Sequence, residues 1–191
     1  MTEMVSDNIE KSYDAVLAGS PEFLESVEKT EEYIDYLNKE ISKYISQIIS
    51  LETNETDSER ISAYFRITGN LERIGDHAVN ICEYTKMLSE KEIKFSDIAR
   101  EEITRMKEIS LETLAVVRDV EKLDVEKLSE IAAFEQRIDD MTDAFKVNQL
   151  ARMHSGVCSD EACIIYSELL TDFERVGDHI LNIGQALAAI E

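Results

Sequence analysis

The sequence predicts an all-α fold built from two tandem antiparallel three-helix bundles that are related by an internal repeat. Residues with helical spacing fill most of the chain, and its 191 residues include only 6 Gly and 1 Pro. The turn residues that all-β folds need are therefore scarce. The segment LERIGDHAVNI at 71–81 also returns as FERVGDHILNI at 173–183, with seven of eleven positions identical. Cap and stop signals then divide each half into one short and two long helices.

The first two predicted helices are separated by clear helix stop and start signals. The first helix is predicted to end at about Ala18, because Gly19 follows it. Ser20 is the predicted cap of the second helix, and Pro21 is its first residue. Apolar residues at three- and four-residue steps carry this helix to about Leu51.

The other four helices have predicted caps and ends of the same kind. The caps are a Thr56/Glu59 capping box, Ser96, Asp124 and Ser159, and the helices end near Ser89, Glu121, Met153 and the end of the chain. Long helices with short connections pack as antiparallel neighbours. The predicted bundles therefore span residues 1–91 and 92–191.

The charge of the chain limits its partners. Its 41 acidic and 20 basic residues give a net charge of −21. Such a surface repels nucleic acid and the anionic leaflet of a membrane, so neither is an expected direct partner. It also repels free phosphate unless a cation first reverses the local sign. Cations are the expected small ligands.

The cysteines and the hydropathy pattern indicate a cytoplasmic protein. Cys82, Cys158 and Cys163 are too few for a disulfide framework, and we interpret them as structural or incidental thiols in a reducing compartment. The N-terminus has no apolar signal region, and no apolar run approaches the length of a membrane span.

Four pairs of acidic residues share one spacing. The repeated segment carries Glu72/Asp76 and Glu174/Asp178, and the preceding long helices carry Glu31/Asp35 and Glu135/Asp139. Residues four apart project from the same helix face. In each half, the two pairs also lie at equal distances from the predicted turn, so an antiparallel hairpin brings them level with each other. Helices about 8–10 Å apart allow such side chains to share an ion.

These clusters are predicted metal sites at the edge of the apolar stripe of each helix. Four neighbouring carboxylates repel one another unless a cation neutralises them. Oxygen ligands suit iron, manganese, magnesium, calcium or zinc. The alternative is a solvated acidic face without metal, and the handedness that decides whether both pairs of one half face the same groove does not follow from the sequence.

The other repeated residues have weaker expectations. Helical geometry turns His77 and His179 away from the carboxylates, towards solvent or a neighbouring helix. Supporting roles beside the ligands, through ion pairs or hydrogen bonds, are expected for Arg73, Asn80, Arg175 and Asn182. Gly75 and Gly177 are expected to allow close helix packing, and Tyr64 and Tyr166 are expected in the core.

The two repeats with their E-x-x-x-D pairs and the phrase L/F-E-R-[IV]-G-D-H resemble the PhoU family over the whole chain. The resemblance implies multinuclear clusters of iron or another metal, held by Glu31, Asp35, Glu72, Asp76, Glu135, Asp139, Glu174 and Asp178. It also implies a regulator of a phosphate ABC transporter, linked to a phosphate-sensing histidine kinase, that acts at the inner face of the membrane and could form a homodimer. Some family members are tails of sodium/phosphate cotransporters, and the segment HSGVCSDEACIIYSELLTDFERVGDHILNI resembles that branch.

Three other classes remain as alternatives to a metal-binding regulator. A carboxylate-bridged di-metal enzyme normally shows E-x-x-H, but Gly75 and Gly177 occupy that position here. A histidine-phosphotransfer bundle requires a basic surround that this acidic chain lacks. A helical adaptor without metal also fits the pattern. No nucleophile or glycine-rich phosphate loop is apparent, so the chain is not predicted to be an enzyme.

Overall fold

The computed structural model describes residues 1–49, 54–118 and 124–190 and forms six α-helices over them, with no strand in those ranges. The helices are α1 (Thr2–Ala18), α2 (Leu24–Ile49), α3 (Glu55–Glu90), α4 (Asp97–Arg118), α5 (Val125–His154) and α6 (Asp160–Ala188). A 3-10 turn at Pro21–Phe23 leads into α2, which therefore begins three residues later than predicted. The all-α fold is confirmed.

Most helix ends follow the predicted local chemistry. Gly19 ends α1 in the left-handed region at φ 65°, where its N–H is donated to the last turn. Asp124 and Ser159 cap α5 and α6 by accepting the backbone N–H groups of Lys127 and Ala162. Ser96 Oγ accepts the N–H of Ala99 in the same way at the start of α4.

The predicted capping box of α3 is wrong. The N-cap is Asn54, whose side chain accepts the N–H of Asp57 at 2.9 Å, and Thr56 already lies inside the helix. Asn and Thr are both good caps, and Asn54 has the extended backbone that a cap requires. The predicted ends of the second and fourth helices, Leu51 and Glu121, lie outside the described residues.

The helices form two layers. Contacts run from α2 to α3, from α3 to α6 and from α6 to α5, so these four helices form one layer in the order α2–α3–α6–α5. The second layer consists of α1, which packs on α2 and α3, and α4, which packs on α5 and α6; α1 also packs on α4. The two halves are therefore related by an approximate two-fold axis through the seam between α3 and α6.

The hydrophobic core is continuous across both halves. Ile9 and Tyr13 of α1, Ile74 of α3, Ile103 of α4 and Phe173 of α6 are fully buried in one cluster. The two bundles thus share a core through α3, α6, α1 and α4. The division into domains 1–91 and 92–191 stays a prediction.

Two sequence expectations about individual side chains are corrected by the structure. Tyr64 is not a core residue but is 52% exposed, whereas Tyr166 is buried because the Phe95 ring and Glu102 cover it. Cys158 and Cys163 are not separate thiols, since they form a disulfide across the turn between α5 and α6. No helix in the described ranges combines the length and apolar character needed to cross a membrane.

Candidate metal centres on the four-helix layer

The first carboxylate cluster lies in the groove between α2 and α3. Its members are Glu31, Asp35, Glu72 and Asp76. The antiparallel packing of α2 on α3 brings these carboxylates close enough for their charges to repel one another. Because α1 covers the apolar stripes of both helices, the carboxylates at the stripe edges remain partly exposed. Both pairs face the same groove, which settles the question that handedness left open.

The charges in this cluster repel one another. The pKa of Glu31 is raised, mainly by burial and then by the negative charges of Asp76, Asp35 and Glu72. Burial and the neighbouring carboxylates also raise the pKa values of Glu72 and Asp76. Protonation of these three carboxylates is thus more favourable in the fold than in water. A bound cation would relieve the same repulsion between their charges.

The second cluster repeats the arrangement between α5 and α6. Burial and the charges of Asp139 and Asp178 raise the pKa of Glu135. Burial and the charges of Glu174 and Asp178 raise the pKa of Asp139. All eight predicted ligands are therefore grouped by the fold into two clusters of four.

Basic side chains form ion pairs with several carboxylates of the two clusters. Lys39 forms an ion pair with Asp35, and Lys146 contacts Glu174 at 3.2 Å. Arg175 contacts Asp178 at 3.2 Å, so its expected ion pair is present. Arg73 is exposed on α3, and its charge offsets a small part of the rise in the pKa values of the adjacent Glu72 and Asp76.

The donor chemistry of the clusters fits a hard cation, but the side chains do not form a closed site. Within the described ranges, no three His, Cys, Asp or Glu side chains are arranged so that they could hold a metal ion. Ion binding would therefore require the carboxylates to turn inwards and to release their basic partners. Such rotations are inexpensive for half-exposed side chains.

The two imidazoles meet at the seam between α3 and α6. The His77 and His179 rings stack with centroids 5.5 Å apart. His77 Nδ1 lies 2.6 Å from Asp172 Oδ1, and His179 Nδ1 lies 3.0 Å from Asn70 Oδ1. The expected turn of both residues towards a neighbouring helix is confirmed. Burial, followed by the charges of His77, Arg73 and Arg175, lowers the pKa of His179 to about 4.

The seam contains hydrogen-bonded polar residues that the motif did not indicate. Asp172 is only 4% exposed and accepts hydrogen bonds from His77 and, at 3.3 Å, from the Asn80 amide. The structure therefore engages Asn80 with Asp172 in the seam, whereas Asn182 is half-buried on α6. Asn70 and Asp172 occupy equivalent positions two residues before the repeated Glu, which is the signal that could have identified them.

The repeated glycines differ in how closely the helices approach them. An added Cβ at Gly177 would lie 3.0 Å from Ile138 Cδ1 and 3.1 Å from its Cγ2. At Gly75 the corresponding contacts with Ile34 are 3.6 and 3.7 Å, which are ordinary distances. The expected close approach is confirmed at Gly177 and not at Gly75.

A model of the PhoU domain matches this chain twice, at residues 1–85 and 103–187. The chain belongs to the PhoU family. A relative named phosphate-specific transport system accessory protein PhoU homolog 1, from Thermotoga maritima, is 31% identical over 196 residues, an alignment that covers 100% of this chain and 82% of the relative.

Two crystal structures show the same fold. PhoU from Pseudomonas aeruginosa matches with a TM-score of 0.92 at 17% identity, covering 100% of this chain and 91% of that one. The phosphate transport system regulatory protein PhoU from Streptococcus pneumoniae matches with a TM-score of 0.87 at 21% identity, covering 99% and 88%. These two structures show the shared fold, whereas membership of the PhoU family is what places the chain among regulatory accessory proteins rather than enzymes.

Proposed function

We propose that this PhoU protein regulates phosphate transport and phosphate-dependent signalling, and that it does so as a metal-binding protein. The observation that carries the metal proposal is the grouping of the eight repeated carboxylates into two clusters of four, in which burial and mutual repulsion raise the pKa values of Glu31, Glu72, Asp76, Glu135 and Asp139. The names of the T. maritima relative and of the S. pneumoniae structure support the role in phosphate transport.

Each cluster has a defined set of ligands in this proposal. Glu31, Asp35, Glu72 and Asp76 hold metal between α2 and α3, and Glu135, Asp139, Glu174 and Asp178 hold it between α5 and α6. Iron is the first choice, and zinc, manganese, magnesium or calcium also suits carboxylate oxygens. A bound cation would neutralise each groove and tie its two helices together.

The protein acts, in this proposal, by contact with a phosphate transporter at the cytoplasmic face of the membrane. The transporter is of the ABC type or is a sodium/phosphate cotransporter, and a phosphate-sensing histidine kinase and a second copy of the chain are further partners. The acidic surface, with a net charge of −21, favours protein partners over anionic lipid or nucleic acid.

A metal-independent adaptor is the second candidate function. Lys39, Lys146 and Arg175 already pair with carboxylates of the clusters and neutralise part of their charge. On this alternative, the basic residues replace metal as the counterions, and the helical faces alone bind the transporter.

Phosphate uptake in cells that lack the endogenous protein distinguishes the two candidates. The wild-type chain should restore regulated uptake, and a variant with Glu72→Gln, Asp76→Asn, Glu174→Gln and Asp178→Asn should fail to restore it. Glu108→Gln/Glu112→Gln is the matched control, because these exposed acids are also four residues apart but lie on α4, outside both clusters. Full activity of the cluster variant favours the adaptor. Failure of the wild-type chain itself to alter uptake argues against both.

A further inference from the structure

We propose that Arg73 and Arg175 form a binding site for a phosphate dianion on the approximate two-fold axis, between the two carboxylate clusters. The ligand is defined by its chemistry, a tetrahedral dianionic phosphate group, either free or carried as a monoester. The inference rests on the proposed metal-binding function, because it requires the neighbouring carboxylates to be neutralised by cations.

The register of α3 and α6 brings the two arginines together. Contacts of residue 77 with 172 and of residue 70 with 179 define an antiparallel pairing of the two helices. In that register Arg73 is level with residue 176, one position from Arg175. The stacked rings of His77 and His179 lie at the same level, since each ring leans back towards the N-terminus of its own helix.

Both arginines are also accessible from the same side of the molecule. Each is exposed, and each lies one residue after a cluster carboxylate, Glu72 or Glu174. The approximate two-fold axis keeps α1 and α4 together in the second layer. It therefore also places equivalent exposed residues of α3 and α6, such as Arg73 and Arg175, on one face of the four-helix layer.

The seam beneath the arginines holds its polar groups in place. Asp172, buried below His77, fixes that ring through Nδ1, and Asn70 fixes the His179 ring in the same way. In the proposed site, the two rings lie beneath the anion and the two guanidinium groups bind it from either side. Guanidinium groups match phosphate oxygens in a bidentate geometry, which ammonium groups do not.

The local charge makes the site conditional on metal. The eight cluster carboxylates and Asp172, which lies beneath His77, outnumber the two guanidinium groups, so free phosphate is repelled while both clusters are empty. Arg175 is moreover paired with Asp178 at 3.2 Å. A cation at the second cluster would compete for Asp178, release Arg175 and reverse the local sign, as bound cations do at phosphate sites. Phosphate binding is thus coupled to metal binding through one shared carboxylate.

This assignment gives the repeated Arg a role that the E-x-x-x-D pairs leave unexplained. The segments at 71–81 and 173–183 keep Glu-Arg together in both copies, although only the Glu belongs to a cluster. Because the two copies meet at the seam, each contributes one arginine to a single site. The repeat thereby builds two metal clusters but one anion site.

The test is calorimetric titration of the full chain with inorganic phosphate, after loading with manganese or iron and, separately, after removal of metal with a chelator. Metal content is measured on every sample. The loaded wild-type chain should bind phosphate, and the chelated chain should bind it at least about tenfold more weakly. A parallel titration with phosphoserine distinguishes the two sources, because the tighter ligand identifies the physiological form.

Three variants locate the site. Arg73→Ala/Arg175→Ala should retain its metal but lose at least about tenfold in phosphate affinity, which is the size expected when charged hydrogen bonds are removed. Arg73→Lys/Arg175→Lys keeps the charge and should recover only part of the loss. Arg105→Ala, an exposed arginine on α4, should bind phosphate as the wild-type chain does.

Each contrary result has a separate meaning. Unchanged phosphate affinity in the double alanine variant would place phosphate on the metal alone and overturn the arginine site. A loaded chain that binds neither phosphate nor phosphoserine would overturn it too, while leaving the metal proposal intact. A chain that takes up no metal would refute the proposed function and this inference together.

Discussion

The two glycines inside the metal motifs provide a matched pair of perturbations. Replacing a mid-helix Gly with Ala stabilises a helix by about 1 kcal/mol where the added methyl group fits. At Gly75 it fits, since the nearest atoms of Ile34 are 3.6 and 3.7 Å away. Gly75→Ala should therefore raise the free energy of unfolding by about 1 kcal/mol, or the melting temperature by roughly 2–4 °C.

The same substitution at Gly177 should have the opposite sign or no effect. Its methyl group would lie 3.0 and 3.1 Å from Ile138, so α5 must shift or Ile138 must leave its rotamer. Overpacking of this kind costs about 1–3 kcal/mol, which cancels or exceeds the gain in helix propensity. The two alanine variants should thus differ by about 1–3 kcal/mol although they are equivalent in the repeat.

Urea denaturation followed by circular dichroism, with metal removed, measures both values. Adding Ile138→Val to Gly177→Ala removes the Cδ1 atom in closest contact, so the double variant should be more stable than the sum of the single changes predicts. The reasoning is refuted if Gly177→Ala stabilises the protein as much as Gly75→Ala, or if Ile138→Val shows no coupling to it.

Three further predictions concern charge. Since the folded state raises the pKa values of cluster carboxyls such as Asp76, it takes up protons at higher pH than the unfolded chain does. The unfolding free energy of the metal-free protein should therefore rise as the pH falls from neutrality towards the ordinary range of carboxyl pKa values. Asp76→Asn should flatten this slope and stabilise the chain at pH 7 by less than about 1 kcal/mol; a slope of opposite sign in buffered urea titrations would contradict it. Arg152→Ala leaves the buried carboxylate of Glu102 without its 2.8 Å ion pair and should cost about 3–5 kcal/mol in the same assay. A cost below 1 kcal/mol would show that solvent reaches Glu102. Asp172→Ala should destabilise the fold more than Asp172→Asn, because an amide oxygen can still accept a hydrogen bond from His77, as Asn70 does for His179. Equal melting temperatures of the two variants would show that the hydrogen bond between residue 172 and His77 does not stabilise the fold.

The fold and the grouping of the carboxylates could be predicted from the sequence because both depend on periodic signals. Helical spacing, caps such as Asp124 and Ser159 and the repeat itself define the helices. Equal distances from each turn predict that Glu31 and Asp35 lie level with Asp76 and Glu72, and antiparallel packing makes this prediction correct.

The contacts between the halves could not be predicted in that way. No periodicity within one hairpin indicates that α3 packs on α6, so the stack of His77 on His179 and the role of Asp172 appear only in three dimensions. The exposure of Tyr64 was missed for the same reason. Its repeat partner Tyr166 is buried by Phe95 and Glu102, which come from outside the hairpin that contains it.

Metal binding by the two carboxylate clusters is the central claim, and calorimetric titration of the chelated chain with manganese or ferrous iron tests it most directly. The wild-type chain should bind metal at both clusters. Glu72→Gln/Asp76→Asn should abolish binding at one cluster, the equivalent change at Glu174 and Asp178 should abolish it at the other, and Glu108→Gln/Glu112→Gln should change nothing. Equal metal uptake by the wild-type chain and by a variant that combines both cluster changes would contradict the account.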